Sequence, residues 1–332
     1  MNYAESPKIL EEIKKAKRIL VNCHNNPDPD SIGSALAARR ILLGLGKEVE
    51  IICPSKELFE PVSYLEDYSE IKKNVDFSSF DFTKFDLFLI LDSSSWWMVA
   101  NSEKFKPAGI KSIVLDHHDT NEKFGEINLI DTKIASIGEL LYLIFEDWEV
   151  KVDRIVADQL MAAIVGDTGA FRYPDANQKT FQIVIELMKL GANKDKAIQH
   201  LYRSEPYSLM KFYGEVLSRA QLDKVGNFFW SAVPYEIFNG LGKPVFAKEA
   251  SASLFAQIVE GTDFGFIAVE QEKGRLNISF RSRTGFDVSK VAEELGGGGR
   301  IYASGARIEG VSFDQAVEKV LEVARKYAKK TG

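Results

Sequence analysis

Along the first half of the chain, apolar positions fall in short, nearly unbroken runs that end abruptly in polar residues. Residues 18–23 (RILVNC), 47–53 (KEVEIIC), 85–95 (FDLFLILDSSS) and 111–121 (KSIVLDHHDTN) contain such runs, and continuous hydrophobicity of that length suits strands buried on both faces of a parallel sheet. Residues 6–17, 34–46, 133–148, 152–166 and 177–190 instead carry helical periodicity, with stops at Gly44 or Gly46 and at Gly191. Strands alternating with helices predict an α/β domain over residues 1–191, a parallel sheet with helices on both faces. A charged segment, 192–205, reads as a helical linker, and beyond it the texture changes. After a helix at 206–219, pairs of strand-like runs meet at a Gly-Asn turn within 219–234 and a Lys-Gly turn within 264–283. Helices are predicted at 249–259, 287–295 and 313–329, the last opened by the capping-box pair Ser312 and Gln315. Residues 206–332 therefore form a smaller α+β domain, expected to face the first across a cleft. No internal repeat is visible.

Bulk properties narrow this picture. A chain of 332 residues is long enough for two cores, and 45% hydrophobic with 27% charged residues is ordinary for a globular protein. No apolar run reaches the ~20 residues of a membrane span, and the opening MNYAESPKILEEIKKAKRI is too charged for a secretory signal. The expected setting is the cytoplasm, with no membrane partner. Cys23 and Cys53 are too few for a disulfide framework or a thiolate zinc site and are expected to sit reduced at strand ends. A net charge of −6 argues against long nucleic acid as a partner, because gripping a polyphosphate backbone takes a basic footprint. A short polyanion remains admissible where positive charge is local.

The chemistry begins where the strands stop. His24, Asp28 and Asp30 crowd the loop after residue 23, Asp92 ends the third run, Asp116, His117 and His118 end the fourth, and Asp167 sits between glycines in GDTGAFRYP, 166–174. In open α/β sheets these carboxyl ends converge along one edge, where ligands bind. A DxD after a strand is by itself usually a turn or a helix cap, and a His-His pair is often an ordinary surface or core feature. Recurrence at four equivalent positions is what points to a site. Five carboxylates held close repel one another unless protonated or bridged by cations. An oxygen-rich set with imidazoles and no sulfur suits Mn²⁺ or Mg²⁺, with Co²⁺, Zn²⁺ or Fe²⁺ as competitors. Two ions sharing an aspartate would balance the charge, activate a water and hold a phosphate oxygen. In the second domain, Gly296, Gly297, Gly298 and Gly299 would let the backbone approach a phosphate, with Arg281, Arg283 and Arg300 supplying local positive charge. Arg172 and Tyr173 follow Asp167 closely enough to line the same cleft, Trp96 and Trp97 follow Asp92 and could stack on a base, and His200 reads as a surface helix residue.

The segments His24-Asn-Asn-Pro-Asp28-Pro-Asp30-Ser-Ile-Gly33-Ser34, Asp92, Asp116-His117-His118 and Gly166-Asp167-Thr168-Gly169 resemble, in order, the four motifs of the DHH phosphoesterase superfamily. The segment SFRSRTGFDVSKVAEELGGGGR, 279–300, is similar to the substrate-binding end of its DHH-associated C-terminal domain. The resemblance spans nearly the whole chain and is strongest to the short, stand-alone NrnA-like oligoribonucleases and dinucleotide phosphodiesterases. RecJ-type exonucleases share the core but add a nucleic-acid-binding domain. The resemblance implies one metal held by His24, Asp28 and Asp92 and a second by Asp30, Asp92, His117 and Asp167. It also implies that Asp116 orients a ligand imidazole and that His118 faces the scissile phosphate. Arg172, Arg281, Arg283, Arg300 and the glycine run would hold substrate. The implied activity is metal-dependent hydrolysis of short linear 5′-phosphorylated di- and oligonucleotides to mononucleotides by a water activated between two ions, most suitably Mn²⁺. Rival readings are a cyclic dinucleotide phosphodiesterase, a 3′-phosphoadenosine 5′-phosphate phosphatase, an inorganic pyrophosphatase and a non-catalytic nucleotide sensor. A homodimer stays open. Two departures stand out: Arg300 occupies the place of a family histidine, and Asp92 is followed by SSSWW instead of acidic and basic residues.

Overall fold

The computed structural model describes residues 2–102 and 105–328 of the chain. Lys329, the expected last residue of the final helix, and the remaining expected end of the second domain lie outside them. The chain divides after Ser204 into two compact units.

In the first unit the elements run α1 (Ser6–Lys15), β1 (Arg18–Asn22), α2 (Pro29–Gly44), β2 (Glu48–Ile52), β3 (Ile71–Lys72), β4 (Leu87–Leu91), α3 (Trp96–Ala100), β5 (Lys111–Asp116), β6 (Ile127–Ile130), α4 (Ile137–Asp147), α5 (Arg154–Asp167), α6 (Gln178–Lys189) and α7 (Lys194–Tyr202). The strands form one sheet in the order β3-β2-β1-β4-β5-β6, and every neighbouring pair is parallel. Both faces are covered, which is why the strands are apolar at successive positions. Ile19, Val21, Leu89, Leu91, Ile113 and Leu115 pack with residues of α2, α4 and α5, while Leu20, Phe88, Ile90 and Val114 pack with Phe77, Phe82, Phe85 and Val99. The chain moves outward from β1 through β2 to β3, then returns to β4 on the other side of β1. That reversal opens a crevice beyond the carboxyl ends of β1 and β4, the place where doubly wound sheets bind ligands.

Several sequence expectations shift. The second helix, expected at 34–46, starts at Pro29 because the Asp28 side chain accepts from the Ser31 N–H at 2.9 Å and proline at the first helical turn costs no hydrogen bond. The strand Ile127–Ile130 and the short helix Trp96–Ala100 were not anticipated. The segment expected as a linker, 192–205, is mostly α7, and it is packed: Ala197 and Leu201 are buried in the first core, and the Tyr202 hydroxyl donates to the carbonyls of Val165 and Gly166, each at 3.2 Å. Composition suggested a linker, but Ala197 and Leu201, four residues apart on one side of the helix, dock it on the first core.

Two glycines set how α2 meets α5. A Cβ on Gly33 would lie 2.5 Å from the Gln159 carbonyl oxygen, and one on Gly166 would lie 2.5 Å from Cβ of Pro29. The two helices close on each other at these points, and the approach carries Asp28 and Asp30 at the start of one helix toward Asp167 at the end of the other.

The second unit runs α8 (Tyr207–Ser218), β7 (Gln221–Asp223), β8 (Phe228–Val233), α9 (Tyr235–Gly240), α10 (Ala247–Phe255), β9 (Phe264–Glu272), β10 (Arg275–Ser282), α11 (Val288–Glu294), β11 (Gly298–Gly299), β12 (Ala303–Glu309) and α12 (Phe313–Ala328). Its sheet has the order β11-β12-β10-β9-β8-β7, antiparallel except for β8 against β9. One face packs α11 and α12 over Phe264, Phe266 and Phe280, the other packs α8, α9 and α10 over Phe229 and Ile267. No helix among the described residues is long and apolar enough to cross a membrane.

Candidate active site

Four loops of the first unit converge on one set of side chains. His24 follows β1, Asp92 follows β4, Asp116 ends β5 with His117 and His118 directly after it, and Asp167 ends α5. Among the described residues, three groups bring one ligand atom from each member within 4.8 Å of the others: His24 with Asp28 and Asp92, Asp30 with His117 and Asp167, and Asp92 with His117 and His118. Asp92 is central. It is 2% exposed and has a left-handed backbone (φ 52°), and its two oxygens face different imidazoles, with Oδ2 3.3 Å from His24 Nε2 and Oδ1 3.6 Å from His117 Nε2.

The hydrogen bonds fix which ring nitrogens are available, since a carbonyl or ionised carboxylate oxygen can only accept. His24 Nδ1 lies 2.9 Å from the Asn25 carbonyl, and His117 Nδ1 lies 3.4 Å from that of Ile134. Both rings therefore turn Nε2 toward the carboxylates. His117 Nε2 is buried 3.3 Å from Asp167 Oδ2, yet it lacks the geometry of a hydrogen bond to any described residue. His118 is also held through Nδ1 but on a carboxylate: Nδ1 donates to Asp116 Oδ1 at 2.8 Å, leaving Nε2 as its second ring nitrogen. Asp116 is fully buried, and its other oxygen accepts from Asn121 Nδ2 at 2.6 Å.

Asp30 is also fully buried. Its Oδ1 accepts from Ser34 Oγ at 3.0 Å and from the Gly138 N–H at 2.9 Å, and its Oδ2 accepts from the Ile137 N–H at 2.6 Å. The carboxylate thus caps the start of α4 and retains acceptor capacity on Oδ2. Burial, followed by the nearby charge of Asp92, pushes its pKa up to about 8. Burial and the charges of Asp30 and Asp28 hold Asp167 well above the usual carboxylate range. For Asp92 burial acts upward too, but His117 and His24 outweigh it and leave the carboxyl well below its ordinary value. Burial alone would depress His24 and His117, whereas the surrounding aspartates raise both well above the ordinary imidazole value.

These side chains fit a pair of divalent cations. Five carboxylates meet three imidazoles and, among the described residues, no lysine or arginine within ion-pair distance. The ring nitrogens of His24 and His117 facing them are the ones a neutral imidazole would offer to a metal, and each second nitrogen is anchored on a carbonyl as metal-ligating histidines require. The orphaned Nε2 of His117 is the most direct sign of an absent partner.

Other expected site residues separate. Arg172 is exposed, its Nε donates to the Gly169 carbonyl at 2.6 Å and its guanidinium lies 5.4 Å from the Tyr202 ring. Trp96 packs into the aromatic layer against Phe105 and Phe124, while Trp97 is 48% exposed. His200 sits on α7, stacked 4.2 Å from the Tyr64 ring. In the second unit, Arg281 stands opposite Ala303 and Gly299 opposite Ser304, which gathers Arg281, Arg300 and the glycines at one end of that sheet. Arg281 Nη2 donates to Ser253 Oγ at 3.2 Å, and Arg283 Nη1 to the Thr262 carbonyl at 3.1 Å. The four glycines have different reasons to be glycine. Gly297 and Gly299 press on β12, where a Cβ would lie 2.1 Å from the Gly305 oxygen and 2.6 Å from Ser304 Cα, respectively, whereas Gly296 and Gly298 both have open space where a Cβ would stand, Gly296 with φ +78° after α11.

Sequence reasoning missed the residues that hold the candidate ligands in place. Asn22 brackets Asp92 by accepting from the Leu91 N–H at 2.8 Å and donating to Ser93 Oγ at 3.2 Å. Ser31 Oγ accepts from the His24 N–H at 3.0 Å. A polar residue inside an apolar strand was the one available signal for Asn22.

A doubly wound parallel sheet with paired acid and imidazole groups at its switch point defines an α/β protein with a candidate dinuclear metal centre. The chain belongs to the DHH family: residues 18–164 match the DHH family N-terminal domain and residues 249–330 match the DHHA1 domain. It is 27% identical to the bifunctional oligoribonuclease and PAP phosphatase NrnA of Thermus thermophilus, across 99% of this chain and 97% of that protein. It is 25% identical to the protein of the same name in Bacillus subtilis, across 93% and 94%. The cyclic-di-AMP phosphodiesterase PdeA of Listeria monocytogenes is 25% identical across 98% of this chain but 50% of its own length. An exopolyphosphatase-related protein from Bacteroides fragilis has the same fold, with a TM-score of 0.91 and 23% identity over 98% of this chain and 97% of that one.

Proposed function

We propose that this DHH phosphoric ester hydrolase removes mononucleotides from short linear 5′-phosphorylated di- and oligonucleotides. The observation that carries the reading is the meeting of two acid and imidazole groups, one of His24, Asp28 and Asp92 and the other of Asp30, His117 and Asp167, at Asp92, whose Oδ1 lies 3.6 Å from His117 Nε2, with His118 anchored on Asp116 beside them. His24, Asp28 and Asp92 would hold one divalent cation and Asp30, Asp92, His117 and Asp167 the other. Such ions, Mn²⁺ by the hardness of the donor set, supply Lewis-acid charge for a phosphate oxygen and a nucleophilic water at neutral pH. The protein's own part is positional. Asp92 fixes the spacing of the two halves, the backbone amides of Ile137 and Gly138 hold Asp30, and the carbonyls behind His24 and His117 keep each Nε2 turned inward. With Nδ1 committed to Asp116, His118 would deliver a proton from Nε2 to the departing ribose oxygen. Arg281, Arg283 and Arg300 of the second unit would bind the nucleotide's phosphate, Gly296 and Gly298 are the glycines of their run with open space beside them, and Arg172 would serve the substrate from the first unit. The net charge of −6 disfavours long strands.

Near-complete coverage of relatives named oligoribonuclease and PAP phosphatase supports both this substrate class and 3′-phosphoadenosine 5′-phosphate as a second substrate. A cyclic dinucleotide is the other reading, favoured by PdeA, of which this chain matches half. The test is Mn²⁺-supplemented enzyme ranked by kcat/KM on pNpN, longer oligonucleotides, cyclic dinucleotides, the nucleoside bisphosphate and pyrophosphate. The pNpN substrates should lead. Faster turnover of a long or structured RNA, or of a cyclic dinucleotide, overturns the reading.

A further inference from the structure

We propose that Asn121 is a positioning residue of this centre, one that locks the Asp116 carboxylate behind His118 and ties both to the backbone next to Asp92. The inference rests on the role assigned above to His118.

Asn121 has every polar side-chain atom engaged. Its Nδ2 donates to Asp116 Oδ2 at 2.6 Å and to the Ser93 carbonyl at 3.1 Å, and its Oδ1 accepts from the Lys123 N–H at 2.7 Å. Two of those partners can only accept and the third can only donate, so the amide has a single admissible orientation. The backbone repeats the tie: the Asn121 N–H donates to the His118 carbonyl at 3.2 Å, and the Glu122 N–H to the Ser94 carbonyl at 2.9 Å. The loop after β5 is thereby stitched to the two residues that follow Asp92.

The consequence falls on Asp116. One oxygen holds His118 Nδ1 and the other holds Asn121, so the carboxylate cannot rotate about its terminal bond without breaking a contact on each side. Freed of the amide, it would swing, and the imidazole it anchors would lose its fixed aim. Asn121 touches no candidate ligand side chain, so its loss should leave cation binding alone. Aspartate, nearly isosteric, would set a second carboxylate against Asp116 Oδ2 and should be worse than alanine.

The test compares Asn121→Ala, Asn121→Asp, Asp116→Ala and the Asn121→Ala/Asp116→Ala double variant in the full chain on pNpN with Mn²⁺. Asn121→Ala should lower kcat about tenfold, the scale of one buried charge-assisted contact, with KM and Mn²⁺ affinity within about twofold of the parent. Asn121→Asp should fall further. In the Asp116→Ala background, Asn121→Ala should change kcat less than about twofold, because a residue acting through another has nothing left to act on. A readout independent of turnover is the proton NMR signal of His118 Nδ1–H, in metal-free protein and with diamagnetic Mg²⁺. Its exchange with water should quicken at least about fivefold in Asn121→Ala, the scale of one lost contact of this kind. Unchanged kcat, a loss confined to KM or Mn²⁺ affinity, a milder aspartate variant, or losses that multiply in the double variant overturns the proposal. If the parent enzyme turns over none of the phosphate esters, the functional reading fails, and the NMR comparison alone decides Asn121: quicker exchange upholds its role and unchanged exchange removes it.

Discussion

Replacing Asp92 by asparagine probes the centre most directly. The substitution keeps the shape of a side chain that is 2% exposed and deletes the negative charge that two of the three candidate groups contain and that both proposed cation sites would share. At an effective dielectric of ~20, a carboxylate attracts a unit charge about 4 Å away by ~4 kcal/mol. Desolvation offsets part of that, and removing one partner of a buried charge pair typically costs about 3–5 kcal/mol net. Since ~1.4 kcal/mol is tenfold, Mn²⁺ affinity should fall by roughly 10²- to 4 × 10³-fold. The fall should appear at both sites at once, because Oδ2 faces His24 and Oδ1 faces His117. Asp116→Asn is the matched control. That carboxylate is spent on His118 and Asn121, so Mn²⁺ affinity should stay within about threefold while kcat drops about 10²-fold, the usual worth of proton-transfer assistance. Calorimetric titration of Mn²⁺ into EDTA-stripped protein reads stoichiometry and affinity, and pNpN turnover reads kcat. Two ions bound to Asp92→Asn at parental affinity would refute the shared-aspartate centre.

Three further outcomes follow from the geometry. In metal-free protein, Asp30 is raised to about 8, and Asp167, His24 and His117 also sit above their ordinary values. The folded state therefore binds more protons than the unfolded one, so metal-free thermal stability should fall as pH rises from about 6.5 through about 8, and Mn²⁺ should flatten or reverse that slope. Calorimetry in two buffers of different ionisation enthalpy should register proton release on Mn²⁺ binding, and none would contradict the assignment. Gly33→Val should destabilise the fold by about 3 kcal/mol in chemical denaturation and weaken Mn²⁺ binding, because its Cβ would meet the Gln159 carbonyl at 2.5 Å and push α2 off α5. Equal stability would mean that the helices do not close there. Arg300→Ala should raise KM for pNpN about tenfold, the scale of a lost charge-assisted phosphate contact, with Mn²⁺ affinity untouched. An unchanged KM would remove Arg300 from the substrate surface.

Strands β1, β4 and β5 of the first sheet were legible because each is apolar at nearly all successive positions, a pattern that burial on both faces demands and helical amphipathicity does not produce, whereas β3 and β6, at the sheet's two edges, were not. The candidate ligand types stood out for a related reason, since polar residues placed directly after such strands have few structural uses when the pattern recurs at four strand and helix ends. The edges of the site were not. The run IGELLYLIFED shows a helix, but nothing in it shows that the first two amides of α4 hold Asp30. The charged segment 192–205 resembles a tether in composition, yet α7 buries Ala197 and Leu201. Four consecutive glycines suggested one phosphate cradle, although two of them are glycine because β12 lies against them.

The amino-acid order alone determined the layered α/β architecture, the second mixed unit and the inventory of acids and imidazoles, because these depend on local periodicity and on side-chain chemistry. Only the tertiary structure decided the pairing: that Asp92 stands between His24 and His117, that His24 and His117 spend Nδ1 on backbone carbonyls while His118 spends it on Asp116, and that Asn121 holds the other oxygen of Asp116. Those relations join residues far apart in the chain through the strand order and the close approach of α2 and α5, and no local pattern in the sequence encodes a distance across a sheet.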